Sequence, residues 1–175
     1  MTENRGRPSV LSEEHILAAA ILCADSNGIG GCTMRAVADR LGVTPMALYR
    51  HFKDKDALLA RIPDTLLLDV MVATTRQQSA IVALRSIAYV LAEILKAHPW
   101  VTRLFEQPVL GPNMQVSAKY CIGLLVAEGC SPDQAFRWIR ALIAQVVGEM
   151  LTSHGTFDGT GVDLLLTAIE TELGD

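Results

Sequence analysis

Between Thr33 and Lys55 the chain concentrates side chains able to bind anionic oxygens and base edges: Thr33, Arg35, Thr44, Tyr49, Arg50, His51, Lys53 and Lys55. Lys and Arg neutralise phosphate, hydroxyls hydrogen-bond its oxygens, and a guanidinium can also fork onto a guanine edge. Pro45, Met46 and Ala47 lie among them. Apolar side chains such as these suit contact with a thymine methyl. The chemistry is that of contact with a nucleic acid. The patterns that enzymes build are missing: there is no Gly-x-Ser-x-Gly, no phosphate loop and no His-Glu-x-x-His. Gly28-Ile29-Gly30-Gly31 follows a helical stretch, where a nucleotide-binding loop would follow a strand. Enzyme activity is not expected, and neither a catalytic residue nor a cofactor is assigned.

Presenting such side chains needs a rigid element with one face free. Thr33 can cap a short helix to about Leu41, with Met34, Val37, Ala38 and Leu41 sharing a face. Gly42-Val43 makes a tight turn. Thr44 caps a second helix ending near Phe52, with Pro45 at its first position, where the missing amide proton costs nothing. Ala38 is small where two helices must approach closely, and Val43 and Leu48 face inward. Residues 33–52 thus predict a helix-turn-helix, the geometry that puts a second helix into a major groove while the first braces it.

The run Thr33-Met-Arg-Ala-Val-Ala-Asp-Arg-Leu-Gly-Val-Thr-Pro-Met-Ala-Leu-Tyr-Arg-His-Phe-Lys-Asp-Lys-Asp-Ala-Leu closely resembles the DNA-binding signature of the tetracycline-repressor family of regulators. The resemblance covers about residues 10 to 62. It implies a recognition helix from Thr44 to Phe52, with Pro45, Met46, Ala47, Tyr49, Arg50 and His51 facing DNA. It also implies that Thr33, Arg35 and Lys55 meet phosphates, and the helix beginning at Asp54 would offer amides to phosphate. Competing readings stay open: Tyr49 partly in the core beside Phe52, His51 as a packed histidine, Lys53 and Lys55 as ordinary solvated charges. The resemblance implies a homodimeric, ligand-responsive repressor of a palindromic operator. The competing reading is a helical protein-interaction module of the same fold that does not bind DNA.

The net charge of −4 looks unfavourable for binding DNA until it is divided by region. Residues 1–55 hold seven Lys and Arg against six Asp and Glu, whereas residues 56–175 hold eight against thirteen. Two domains are expected: 1–55, the DNA-binding head with a flexible basic leader carrying Arg5 and Arg7, and 56–175, a helical effector-binding and dimerisation body. Every segment reads with helical periodicity and none with strand alternation, so the fold class is all-α. No apolar run is long enough to span a membrane and no signal peptide is evident, so a soluble, cytoplasmic protein is expected. Cys23, Cys32, Cys121 and Cys130 are too widely spaced for a metal site and read as buried free thiols, with redox sensing as the competing role.

In the first helix, Ser12 is the cap and Asn27-Gly28 the end. The helix after Asp54 should kink or break near Arg61 because of Pro63. Helices follow over about Ser79–His98, whose apolar stripe includes Val82, then a short one to Glu106. After the break between Pro108 and Pro112 come Asn113–Glu128, a helix opened by the capping box Ser131-Pro132-Asp133-Gln134, and Val162–Leu173. The Ser131 helix is apolar on more than one stripe, so two copies of it and of the last helix could pair across a dimer, through Ile139, Ile143, Val147, Leu165 and Ile169; the competing reading is that they only complete the core of one chain. Met71, Trp100, Phe105, Met114, Tyr120 and Trp138 could line a pocket for a small organic effector, the competing reading being that the aromatic residues are plain core. Acids and histidines are sparse there, so a neutral or weakly polar ligand is expected rather than a metal-chelated drug. By the family resemblance, the effector would move the long helix after Asp54 and change the spacing of two heads.

Overall fold

A computed structural model describes residues 11–106 and 111–174, the side chains of 104–106 apart. Arg5, Arg7, Pro108 and the Phe105 side chain therefore lie outside the described residues. The elements are α1 (Glu13–Gly31), α2 (Met34–Leu41), α3 (Pro45–Tyr49), α4 (Lys55–Leu66), α5 (Leu68–Thr75), α6 (Ala80–Ala97), a 3-10 helix (Pro99–Glu106), α7 (Pro112–Ala127), α8 (Pro132–Thr152) and α9 (Thr160–Gly174). No strand occurs among the described residues. The chain divides into two compact units between Ile62 and Pro63, a few residues beyond the expected boundary at Lys55 and Asp56.

In the first unit, Ser12 Oγ accepts from His15 N at 3.3 Å and opens α1. Glu13 and Glu14 follow in its first turn, where the helix dipole favours negative charge. The α-helical backbone breaks at Gly28, which adopts φ 68°, and one further turn carries the chain to Cys32. The expected end is thus a kink. Ile16, Ala20 and Cys23 from α1 pack with Val37 and Ala38 from α2, Leu48, Phe52, and Leu58 and Ile62 from α4, all buried.

The second unit is a layered helical bundle in which α6 packs on α5, α8 and α9, and α7 packs on α5 and α8. Pro63 does not break its helix. α4 continues through it to Leu66, with Leu67 N bonded to Pro63 O at 2.9 Å. Proline removes one amide and leaves the following turn intact, and the interruption falls instead at Leu67, the residue before α5. Val82 is exposed, so the core stripe of α6 is Ala80, Ala83, Leu84, Ile87, Ala88, Leu91, Ala92 and Leu95.

Side chains from distant segments satisfy the orphan amides at three helix starts or loops of this unit. The buried Asp64 accepts from Asn113 N at 2.8 Å and from Met114 N at 3.4 Å, while Asn113 Nδ2 donates back to the Asp64 carbonyl. Gly111 lies so close that a Cβ there would collide with the Asp64 carboxylate. Glu128 Oε1 accepts from Ala80 N at 2.9 Å at the start of α6, where Ser79 makes no side-chain cap. Glu149 Oε1 accepts from Asp158 N at 2.8 Å in the loop before α9. Ser131 caps α8 as expected, but Gln134 does not complete a reciprocal box, because its side chain donates to Glu172 on α9.

All four cysteines are buried and free. Burial pushes the Cys121 thiol up to about 12 and also raises Cys32, which has Cys23 beside it. Neither supplies a thiolate at neutral pH.

Asp64→Ala leaves two α7 amides without an acceptor and is expected to cost about 1–2 kcal/mol. A urea titration followed by circular dichroism should show the lowered midpoint. A midpoint equal to that of the parent would remove the capping role.

Candidate functional site

Position by position, the donor-rich segment is built from local rules. Thr33 Oγ1 accepts from Ala36 N at 3.1 Å and starts α2. At the other end Gly42 takes φ 67°, Val43 N donates to Ala38 O at 3.0 Å, and Gly42 N donates to Asp39 O at 3.2 Å. This paired pattern closes the helix with a left-handed residue, a conformation that costs an L-side chain about 1–2 kcal/mol. Pro45 then sits at the start of α3. Thr44 makes no side-chain cap, so its hydroxyl is exposed and unspent.

Leu48 is fully buried and Phe52 nearly so, whereas Met46 is 67 % and Tyr49 48 % exposed, and Arg50 is exposed. One face of α3 is therefore anchored and the other is free. Tyr49 keeps about half of its surface covered, in keeping with the partial-core reading, and the other half open. Pro45, Ala47 and His51 are half-buried, flanking the free face. Arg35 is highly exposed and meets Asp39 at 4.0 Å, a surface pair worth about 0–1 kcal/mol. Such a pair yields readily to a phosphate.

Lys55 departs from expectation. Its ammonium donates to the carbonyls of Ile29 at 3.0 Å and Gly30 at 3.4 Å. It closes the end of α1, where the Gly28 kink leaves carbonyls without helix partners, instead of facing outward. The start of α4 is also spent in part, because Asp54 Oδ1 accepts from Ala57 N at 2.8 Å. A phosphate there would meet a carboxylate. Lys53, by contrast, is exposed.

The second unit contains a cavity of about 170 Å³ lined by Leu67 and Val70, Ile87 and Leu91 on α6, Met114, Ser117 and Ala118 on α7, and Phe136, Ile139, Arg140 and Ile143 on α8. Of the expected pocket residues whose side chains are described, only Met114 lines it. Met71, Trp100 and Trp138 are half-buried elsewhere. Tyr120 is also absent from the lining, its hydroxyl donating to the Gln77 carbonyl at 2.6 Å. Aromatic residues were the sequence signal, but the wall is mostly aliphatic, and aliphatic residues at helical spacing look the same in a cavity wall as in a core. Of the residues assigned to a dimer contact, Ile139 and Ile169 are buried within the chain, while Ile143, Val147 and Leu165 are half-buried against its core. The large exposed apolar side chains of α8 and α9 are instead Phe136, Leu151 and Leu164.

Residues 16–62 match the family model described as bacterial regulatory proteins, tetR family. The tetracycline repressor protein class G of Vibrio anguillarum is 30% identical over 150 residues, covering 83% of this chain and 70% of that protein. The chain belongs to the tetR family. It is also similar to the HTH-type transcriptional repressor DrrR1 of Streptomyces coeruleorubidus, at 27% identity over 152 residues, and spans 54% of that relative's length. A variant of TetR from Acinetobacter baumannii AYE, solved in complex with minocycline, superposes with a TM-score of 0.72 at 25% identity, covering 93% of this chain and 92% of that one. In this tetR-family chain the matched segment begins within α1 and ends at Ile62, the last residue of the first unit.

Replacing Lys55 by Met should lower the denaturation midpoint by the equivalent of about 1 kcal/mol, because two carbonyls lose a charged donor. Lys53→Met, on the exposed surface, should stay within about 0.5 kcal/mol of the parent. Equal effects from the two would show that the Lys55 contacts carry no stability.

Proposed function

We propose that this chain is a DNA-binding transcriptional regulator, a homodimeric repressor of a palindromic operator that is released by a small organic effector. The observation that carries the reading is the free face of α3: Met46, Tyr49 and Arg50 stand exposed together on a helix whose opposite side is locked by Leu48. Arg50 pairs with a guanine edge, Tyr49 donates to a phosphate, and Met46 and Ala47 meet thymine methyls. Thr33, Arg35 and Thr44 hold the backbone. Lys55 acts from behind, fixing the end of α1.

A head this small reads few base pairs, so selectivity calls for two heads on a two-fold axis. Leu151 on α8 and Leu164 on α9, 60 % and 69 % exposed, are the most exposed large apolar side chains of these two helices, and the proposal gives them the pairing role in place of Ile139 and Ile169. The cavity between α6, α7 and α8 is the effector site. Release follows if the effector binds better to the state with low DNA affinity. No helix of the described residues is long and apolar enough to cross a membrane.

The test begins with DNA fragments selected on the purified protein and then measured by fluorescence anisotropy over a range of salt. Arg50→Ala should weaken binding about tenfold to a hundredfold and relax specificity at one base position. Tyr49→Ala combined with it should abolish selective binding. A double variant with parental affinity would refute the assignment of α3. Lys55→Met should leave the salt slope unchanged, since no phosphate contact is lost. Sedimentation should show a dimer for the parent at micromolar concentration and a monomer for Leu164→Arg.

A further inference from the structure

We infer that the cavity of the second unit selects a small apolar organic acid, its ring or short branched chain enclosed by the helices and its carboxylate held at the rim by Arg140. The inference deepens the reading of this cavity as the effector site and rests on it. Size comes first. A cavity of about 170 Å³ is close to the roughly 150 Å³ that holds one benzene-sized molecule, so one ring or its aliphatic equivalent fits inside.

The wall decides what part of the ligand goes in. It is aliphatic apart from Met114, Phe136, Ser117 and Arg140. Ser117 is buried, and its hydroxyl donates to Thr74 Oγ1 at 3.2 Å, while Thr74 donates to Val70 O at 2.7 Å. The serine proton is committed, so the inner polar group presents lone pairs only. A carboxylate pushed to that depth would lose its water and meet an acceptor. The charged end therefore stays outside.

Among the described residues Arg140 is the one charged residue in the lining, and no Asp or Glu accompanies it. It is exposed and forms no ion pair or hydrogen bond among the described residues. It stands one helical turn from Phe136 and close to one turn from Ile143, so α8 presents an aromatic ring, a guanidinium and an aliphatic chain along one strip beside the cavity. A guanidinium binds a carboxylate with two parallel donors. The same group repels an amine.

The probes are phenylacetate, phenylacetamide and phenethylamine, titrated into the full chain and followed by chemical-shift changes. Phenylacetate should bind at least about tenfold more tightly than the amide, a difference of about 1.4 kcal/mol, and the amine should bind weakest. Arg140→Gln should bring acid and amide to equal affinity without weakening the amide. Ala118→Phe, which fills the space, should abolish binding of all three. Equal binding of acid and amide by the parent, a preference that survives Arg140→Gln, or no binding of any probe at millimolar concentration would overturn the inference. Operator binding measured alongside separates the two readings. Selective DNA binding without acid preference sinks the ligand class alone, and acid preference without DNA binding sinks the regulator.

Discussion

α3 is five residues long, and a helix of that length has no stability of its own. It exists because Leu48 is fully buried beneath it and Phe52 follows into the same core. That burial is the constraint on which the candidate DNA surface depends, since Met46, Tyr49 and Arg50 are aimed only if the opposite side is clamped. Ala38 and Val37, both without exposure, provide the surface against which the clamp closes, and Gly42 sets the angle at which α3 leaves α2. Every other choice in the first unit serves this packing. Even Lys55, which looks like a DNA ligand by position, is used to hold the end of α1.

The second unit solves a different problem. Its helices run from eight residues in α5 to twenty-one in α8, and what needs fixing is where each begins. Asp64, Glu128 and Glu149 each carry a carboxylate to backbone amides of another segment. An acid at a helix start satisfies orphan donors and complements the dipole, and it does so most strongly where water is scarce. These ties brace the frame around the cavity with groups outside its lining, leaving its wall almost free of polar groups. An apolar wall can then accept an apolar ligand without breaking the hydrogen bonds that keep the bundle together.

Which features could be read from sequence follows from the range of the interactions. The Ser12, Thr33 and Ser131 caps act over three residues, and the Gly42 closure over five, so residue type and spacing alone locate them. The all-α class and the exposed face of α3 follow from the same short-range rules together with the family signature. The contacts that eluded sequence reading are long-range. Lys55 meets a carbonyl 26 residues away, Ala80 is capped from 48 residues away, and Gln134 prefers Glu172, 38 residues on, to its own helix start. Gln134 had a competing local partner at its own helix start, and in all three cases tertiary packing decides the contact. The cavity was missed for a related reason, because empty space leaves no mark in a hydrophobic pattern.

The all-round apolarity of α8 now has a physical account. Ala135, Leu142, Val146 and Met150 enter the core, Ile139, Ile143 and the half-exposed Phe136 border the cavity, and Leu151 faces outward. One helix therefore supplies the interior of its own chain, the wall of the candidate ligand site and part of the surface proposed for pairing. Closely packed side chains transmit a volume change to their neighbours instead of absorbing it, since interiors have little free space. Ile143 and Val147, one turn apart on the same helix, are both half-buried against the core, so a ligand that displaces Ile143 presses on the packing of α8 as a whole. In the proposed dimer, ligand occupancy and pairing geometry would be coupled through α8 itself, and the sign of the coupling would depend on which of the two packings the ligand fits better.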